Sequence, residues 1–324
     1  MTLQERVAKV QLHGFTERQA GFLVTVMLHS GVCLPRHYET YAGIAHGQKT
    51  ADFFDGLVGG GYATWNACGH HRARLVHVQH KRLYTAIGEP NNRHRRPMML
   101  PRAVERLMLL DAVLADRTGT WLGTEPDKVT YFTLTHQIRR RDLPAVTFHG
   151  ESSETIRYFP EKLPIRVDAD GRCVFVYLLT QDVPIDFRMF LERHAELLRG
   201  LPSWTIRLLV SHHKTDAMPL YKAAFYEQLA SPLRPSLTED LRWYFRARRS
   251  PPRDADERFD ESVRAFRAPR FKALYRAWLE RGDEVLDAAM SATLADAITR
   301  QLGELDCHVL PHRYLHLLPL VGTA

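Results

Sequence analysis

The period of hydrophobic and polar positions changes several times along the chain. Thr16-Glu17-Arg18-Gln19 has the spacing of a capping box, in which a threonine hydroxyl and a glutamine amide satisfy the free donors of a helix start. The apolar run Phe22-Leu23-Val24-Thr25-Val26-Met27-Leu28 follows, and Gly31 is a natural stop. Residues 35–42 predict a short helix with Pro35 at its first position and Gly43 at its end. Ala51, Phe53, Phe54, Leu57 and Val58 then recur at the spacing of one buried helix face, closed by Gly59-Gly60-Gly61. Beyond the glycines, residues 62–66 predict a strand, 67–72 a turn and 73–78 a returning strand. Lys81 to Ile87 predicts another helix, stopping at Gly88. Helix, short helix, helix and hairpin in that order predict a winged helix-turn-helix over residues 1–90.

The basic stretch Asn91-Asn92-Arg93-His94-Arg95-Arg96-Pro97 leads into a helix from Arg102 to Asp116. Its wide apolar face calls for a packing partner, with a twofold mate as the candidate, and 91–118 is read as connector and packing helix. From Trp121 to about Thr180 strands are favoured: Tyr131–Leu134, Ile156–Phe159, and Ile165–Val167 with Cys173–Leu179 around the turn Asp168-Ala169-Asp170-Gly171. An amphipathic helix from Phe187 to Leu198 and a strand from Trp204 to Val210 complete an α/β domain over 119–213. Residues 214–324 read as mainly helical, with helices at 240–249, 254–266, 269–281 and 283–302 and an edge strand or loop at 309–316. The fold class expected is therefore α+β.

Composition narrows the class. At 324 residues, 45% hydrophobic and 25% charged, the chain is neither wholly disordered nor a small disulfide scaffold. No run reaches the ~18 apolar residues of a membrane span. The polar start Met1-Thr2-Leu3-Gln4-Glu5-Arg6 is unlike a secretory leader. Cys33, Cys68, Cys173 and Cys307 are far apart and read as reduced thiols of a cytoplasmic protein. Net charge is +7, and residues 1–100 carry 12 basic against 6 acidic residues, so nearly all the excess lies there. Nine of the 17 histidines lie there too. A localised basic surface suits a polyanion, nucleic acid first.

The candidate DNA-binding residues follow from that placement. Gln48, Lys49 and Thr50 stand near the start of the third helix of the module, where side chains reach base edges and phosphates. Arg36 and His46 precede it. His70, His71, Arg72 and Arg74 gather at the hairpin tip, where positive charge neutralises phosphate. Arg93, Arg95 and Arg96 suit an extended arm along a backbone. The cluster Cys68, His70, His71, His77 and His80 has no C-x₂-C and, beyond His71 with His77, no H-x₃₋₅-H pair, and reads as surface histidines near phosphate. The chain has no GxxxxGK[ST], GxGxxG or GxSxG, and no lysine preceded two positions earlier by an acid. No catalytic residue, metal or cofactor is expected.

Residues 16–88 resemble the N-terminal winged helix of the replication-relaxation family of bacterial mobile elements. The resemblance is carried by Thr16-Glu17-Arg18-Gln19, the pattern Thr50…Phe53…Leu57-Val58…Gly61-Tyr62, and Leu83-Tyr84. The family's second half resembles a restriction-endonuclease-like nuclease. Pro160-Glu161-Lys162-Leu163-Pro164-Ile165 followed by residues 174–179 looks like that pattern without its acids and lysine. The resemblance implies a degenerate nuclease scaffold kept for dimer formation or DNA contact. Together these readings predict a homodimeric, sequence-specific double-stranded DNA-binding protein, a transcriptional regulator of a mobile element, with no membrane partner and no enzymatic activity. The alternatives are a metal-dependent nuclease using Glu161, Asp168 and Asp182, and a protein-interaction scaffold.

Overall fold

The computed structural model describes residues 1–67, 74–149, 154–252 and 255–314. It is a mixed α+β structure in two compact units, Met1–Thr124 with Val309–Ala324, and Glu125–His308. Residues 91–118 thus group with the N-terminal elements, and 214–308 group with the α/β elements before them.

The first unit contains α1 (Leu3–Gln11), α2 (Glu17–His29), β1 (Val32–Cys33), α3 (Pro35–Ala42) and α4 (Gln48–Gly59). After these come β2 (Ala63–Ala67), β3 (Arg74–Val78), α5 (Lys81–Ala86), α6 (Leu100–Ala115) and β4 (Thr120–Leu122). The Thr16 capping box forms as its spacing requires: Gln19 N–H donates to the Thr16 hydroxyl and Thr16 N–H to the Gln19 amide oxygen. A second box at Thr2 and Glu5 starts α1. Strands β1, β3 and β2 lie in that order, antiparallel, with Trp65 opposite Val76 and Val32 opposite His77.

The core of this unit is aromatic. Phe22 of α2 is fully buried, with ring centroids 5.2 Å from Tyr38, 5.6 Å from Tyr41 and 6.1 Å from Phe53. Tyr38 stacks on Phe53 at 4.3 Å, joining α3 to α4. Burying such rings contributes about 1.5–3 kcal/mol each by area, before edge and stacking preferences. Helix α6 buries ten of its residues within the chain, among them Leu107, Leu110, Val113 and Leu114. The face assigned to a twofold mate is therefore occupied inside the monomer.

The second unit holds α7 (Glu125–Thr130), β5 (Ala145–His149), β6 (Glu154–Tyr158), β7 (Ile165–Val167) and β8 (Cys173–Leu179). Then follow α8 (Ile185–Arg199), β9 (Trp204–Val210), α9 (Met218–Leu229), α10 (Pro235–Arg249) and α11 (Glu257–Ala265). The last elements are α12 (Pro269–Arg281), α13 (Glu284–Ala289), α14 (Thr293–Thr299) and β10 (Gly303–Val309). β7 and β8 form the expected hairpin, and β8 runs parallel to β9 through the crossover helix α8. Every residue of β8 is buried, as a strand covered on both faces requires. Both α9 and α12 pack on α8, which ties the helical segment to the sheet.

Four local expectations change. Tyr131–Thr135 is a π-helical turn continuing α7, not a strand. It inserts Phe132 among Phe159, Phe175 and His136, and Thr133 returns its hydroxyl to the Val129 carbonyl. Helix α9 lies in the stretch expected to be mainly helical but ahead of the first helix named there, at 240–249. The helix expected at 283–302 breaks into α13 and α14, where the Ser291 hydroxyl accepts from Thr293 N–H. The last strand is 303–309, because Gly303 lets the backbone pass against the Trp204 indole, space a Cβ would fill. Among the described residues no helix is long and apolar enough to cross a membrane.

Gly31 ends α2 with φ +76°, and a Cβ there would lie 2.6 Å from the His94 carbonyl oxygen. Gly31→Ala should therefore cost about 2 kcal/mol or more, read as a lower urea midpoint. Gly14→Ala has similar φ (+90°) but open space and should cost only about 1 kcal/mol.

Candidate nucleic-acid interface

The candidate reading helix, α4, is anchored by one face and leaves the other to solvent. Phe53, Phe54 and Leu57 are buried, while Gln48, Lys49, Ala51, Asp52, Asp55 and Gly56 are exposed. The helix starts at Gly47 with no side-chain cap, so its first N–H groups face outward without a protein side chain on them. The Gln48 amide donates to the Asp52 carboxylate at 2.6 Å, one turn on. Thr50 is 2% exposed and sits on the core side, which corrects its assignment as a DNA contact; helical spacing puts it with Phe53, Phe54 and Leu57. His46 is exposed, with Nδ1 2.7 Å from a Glu39 carboxylate oxygen.

Arg36 belongs to a buried polar cluster rather than to a surface. Its guanidinium donates to both Asp111 oxygens, at 2.7 and 3.0 Å, and to the Tyr314 hydroxyl at 2.9 Å. Tyr314 itself donates to Asp111, and Arg36 lies over its ring at 5.5 Å. His37 completes the set. Leu34 N–H donates to His37 Nδ1 at 2.9 Å, so the ring carries its proton on Nε2 and donates to Asp111 at 2.9 Å. Burial pushes the Asp111 carboxyl up, but hydrogen bonds and charges from His37 and Arg36 outweigh it and hold it below its ordinary value. Burial also lowers the His37 pKa, against the pull of Asp111. A bidentate guanidinium on a buried carboxylate is a structural fixture, so Arg36 is withdrawn from the contact set.

The basic connector divides in the same way. Arg95 is half-buried and donates to the carbonyls of Pro90 at 2.6 Å and Gln79 at 3.3 Å, so it clamps a loop. Arg93 is half-buried; burial, then the charges of Arg106 and Arg102, push its pKa down to about 9. Arg96 alone of the three is exposed. Their sequence order predicts one solvated arm, but the turn at Arg93–Arg95 packs Arg93 and Arg95 against the protein. His77, read as a surface residue, is buried: its Nε2 pairs with the His94 carbonyl at 2.8 Å.

Arg74 is exposed at the start of β3, 5.8 Å over the Trp65 ring on the neighbouring strand. His70, His71 and Arg72 lie outside the described residues, as does Cys68. The exposed candidates are thus His46, Gln48, Lys49, Arg74 and Arg96. Two cations outside the candidate set join α3 near the entry to α4. Arg117 donates to the Tyr41 carbonyl at 2.8 Å and lies 4.4 Å over its ring, and Arg18 reaches the Ala42 carbonyl at 3.4 Å. Arg117 is 76 positions from Tyr41, a distance at which sequence spacing carries no signal.

The three carboxylates of the nuclease alternative are not brought together. Glu161 pairs with Arg193, Asp168 with Arg166 at 2.6 Å, and Asp182 with Lys214 at 2.7 Å. Among the described residues no group of three or more His, Cys, Asp or Glu side chains is arranged to hold a metal ion. Cys33, Cys173 and Cys307 are free thiols. Comparison with known proteins returned no matching family model, curated protein or solved structure.

The buried histidines make a pH dependence. Burial lowers the pKa of His37 and His77, and lowers that of His94 well below 6.5, where the charges of Arg93 and Arg106 add to it. Each stays neutral in the fold while the unfolded chain takes up a proton below about pH 6.5, so stability falls as pH drops through that value. Asp111 acts in the same direction, with its contribution full above about pH 4 and lost below it. Urea unfolding followed from pH 7 to pH 5 should show this loss, and His94→Gln should lose less than the parent. At pH 7, Asp111→Ala should cost about 3 kcal/mol, because Arg36 and His37 lose their common partner.

Proposed function

We propose that the chain is a sequence-specific double-stranded DNA-binding protein, a transcriptional regulator of a mobile genetic element akin to the replication-relaxation family. The first unit acts as a winged helix-turn-helix with α4 as its reading helix. One observation carries this reading. The order α2-β1-α3-α4-β2-β3, with sheet order β1-β3-β2, seats α4 on an aromatic core and leaves one long face in solvent.

The chemistry of that face supports base reading more than bulk phosphate attraction. Lys49 faces solvent beside an uncapped helix start, whose N–H groups favour an anion. Gln48 has the two-point geometry for adenine, once released from Asp52. Asp52 and Asp55 repel phosphate but accept from the cytosine amino group. Arg74 at the hairpin stands where a wing meets the flanking backbone. The second unit, with its β7–β8 hairpin, crossover α8 and β9, serves in this reading as a degenerate restriction-endonuclease-like scaffold, and the working state is a homodimer on a palindrome.

Selection of bound duplexes from a random pool, followed by sequencing, should return a recurrent inverted repeat. A pool that shows no enrichment counts against sequence-specific reading. Lys49→Ala should weaken binding to the selected duplex and lower the slope of log affinity against log salt by about 1. An unchanged slope would remove Lys49 from the interface.

A further inference from the structure

We propose a second polyanion-binding surface in the Glu125–His308 unit, on the outer face of α12 and the end of α10, that holds the phosphate backbone of duplex DNA. Charge counted over the long C-terminal stretch hides it. Residues 242–276 carry 11 basic against 5 acidic residues, and residues 277–308 carry 2 against 7. The local excess of the first stretch equals that of the first hundred residues.

Much of the basic charge in 242–276 has an internal role. Arg242 pairs with Glu239, Asp283 and Asp287, and Arg246 pairs with Asp283. Arg258 lies 4.0 Å over Trp243, and Arg270 is half-buried. A different set remains. Arg248, Arg249, Lys272 and Arg276 are exposed, and none has a carboxylate partner among the described residues. Arg248 lies 4.3 Å over Tyr275, which brings the end of α10 onto α12. Lys272 and Arg276 stand one turn apart on α12, on either side of Tyr275 in sequence and opposite the buried Ala273, Leu274 and Ala277.

The last turn of a helix favours cations, which accounts for Arg248 and Arg249 without a ligand. It does not account for Lys272 and Arg276, which lie in the interior of α12 and face water. Like charges one turn apart destabilise an isolated helix slightly; the exposed Glu280, one turn beyond Arg276, offsets part of that cost, and an anion bridging Lys272 and Arg276 removes the rest. Arginine forks match phosphate oxygens two at a time, and a row of cations matches a row of phosphates. A membrane surface fits less well, because Trp278 and Phe245 beside Tyr275 point into the helical core instead of flanking the basic face.

This surface is independent of α4, and its test keeps the two apart. The full chain is titrated by fluorescence anisotropy against a duplex of arbitrary sequence between about 50 and 200 mM salt. Lys272→Glu/Arg276→Glu should weaken binding about tenfold or more and lower the salt slope by about 2. Lys272→Gln/Arg276→Gln, which avoids charge reversal, should lower the slope by the same amount and retain the parent's thermal unfolding. If both variants bind as the parent does while Lys49→Ala/Arg74→Ala weakens binding, the α12 surface is overturned and the α4 reading stands. If the α12 variants weaken binding and the Lys49/Arg74 variant does not, the α12 surface is supported and the α4 reading falls. If the parent fails to bind duplex at the lowest salt, or if the α12 cations matter only for vesicles of anionic lipid, the inference is overturned.

Discussion

The burial of Phe22 sets the geometry on which the rest of the first unit depends. Its ring contacts Tyr38 and Tyr41 on α3 and Phe53 and Phe54 on α4, so a single α2 side chain orients both later helices. The rotation of α4 about its axis follows. With Phe53, Phe54 and Leu57 inward, Gln48, Lys49, Asp52 and Asp55 must face out. A shift of the apolar register by one residue would turn this face by about 100° and bury a charge, which such a core does not tolerate.

The arginines and histidines of this unit show why a basic composition is a weak guide to a basic surface. Arg36, Arg93 and Arg95 are in the N-terminal hundred residues that hold the charge excess, yet Arg36 and Arg95 pair with internal acceptors and Arg93 is half-buried. His37, His77 and His94 are buried. Loops of this unit close through guanidinium-to-carbonyl bonds. Arg95 does so at Pro90 and Gln79, and Arg117 at Tyr41. The interior thus takes up part of the charge that a sequence count assigns outside. In the second unit the opposite happens. Acidic residues at 277–308 cancel the count, while the cations at 248, 249, 272 and 276 stay in solvent.

Legibility followed the range of the interactions. The Thr16 cap, the apolar face of α4, the β2–β3 pair and the Asp168–Gly171 turn are short-range features, and each could be read from neighbouring residues. The π-helical turn at Tyr131–Thr135 could not, because aromatic and β-branched residues suit strands until Phe175 and Phe159 supply a pocket for Phe132. Thr50 is buried for a simpler reason: a polar side chain near a helix start suggests solvent, but its angle on the helix decides. The role of Arg36 is not legible locally, because both its partners, Asp111 and Tyr314, are remote in the chain.

The Tyr314 contact also bears on how the protein is made. Arg36 and Tyr314 are 278 positions apart, and Asp111 and Tyr314 are 203 apart. The phenol reaches Asp111 only after residue 314 has been synthesised, so the complete polar cluster cannot form before the chain is nearly finished. Contacts of that separation raise the contact order of the fold, which goes with slower folding.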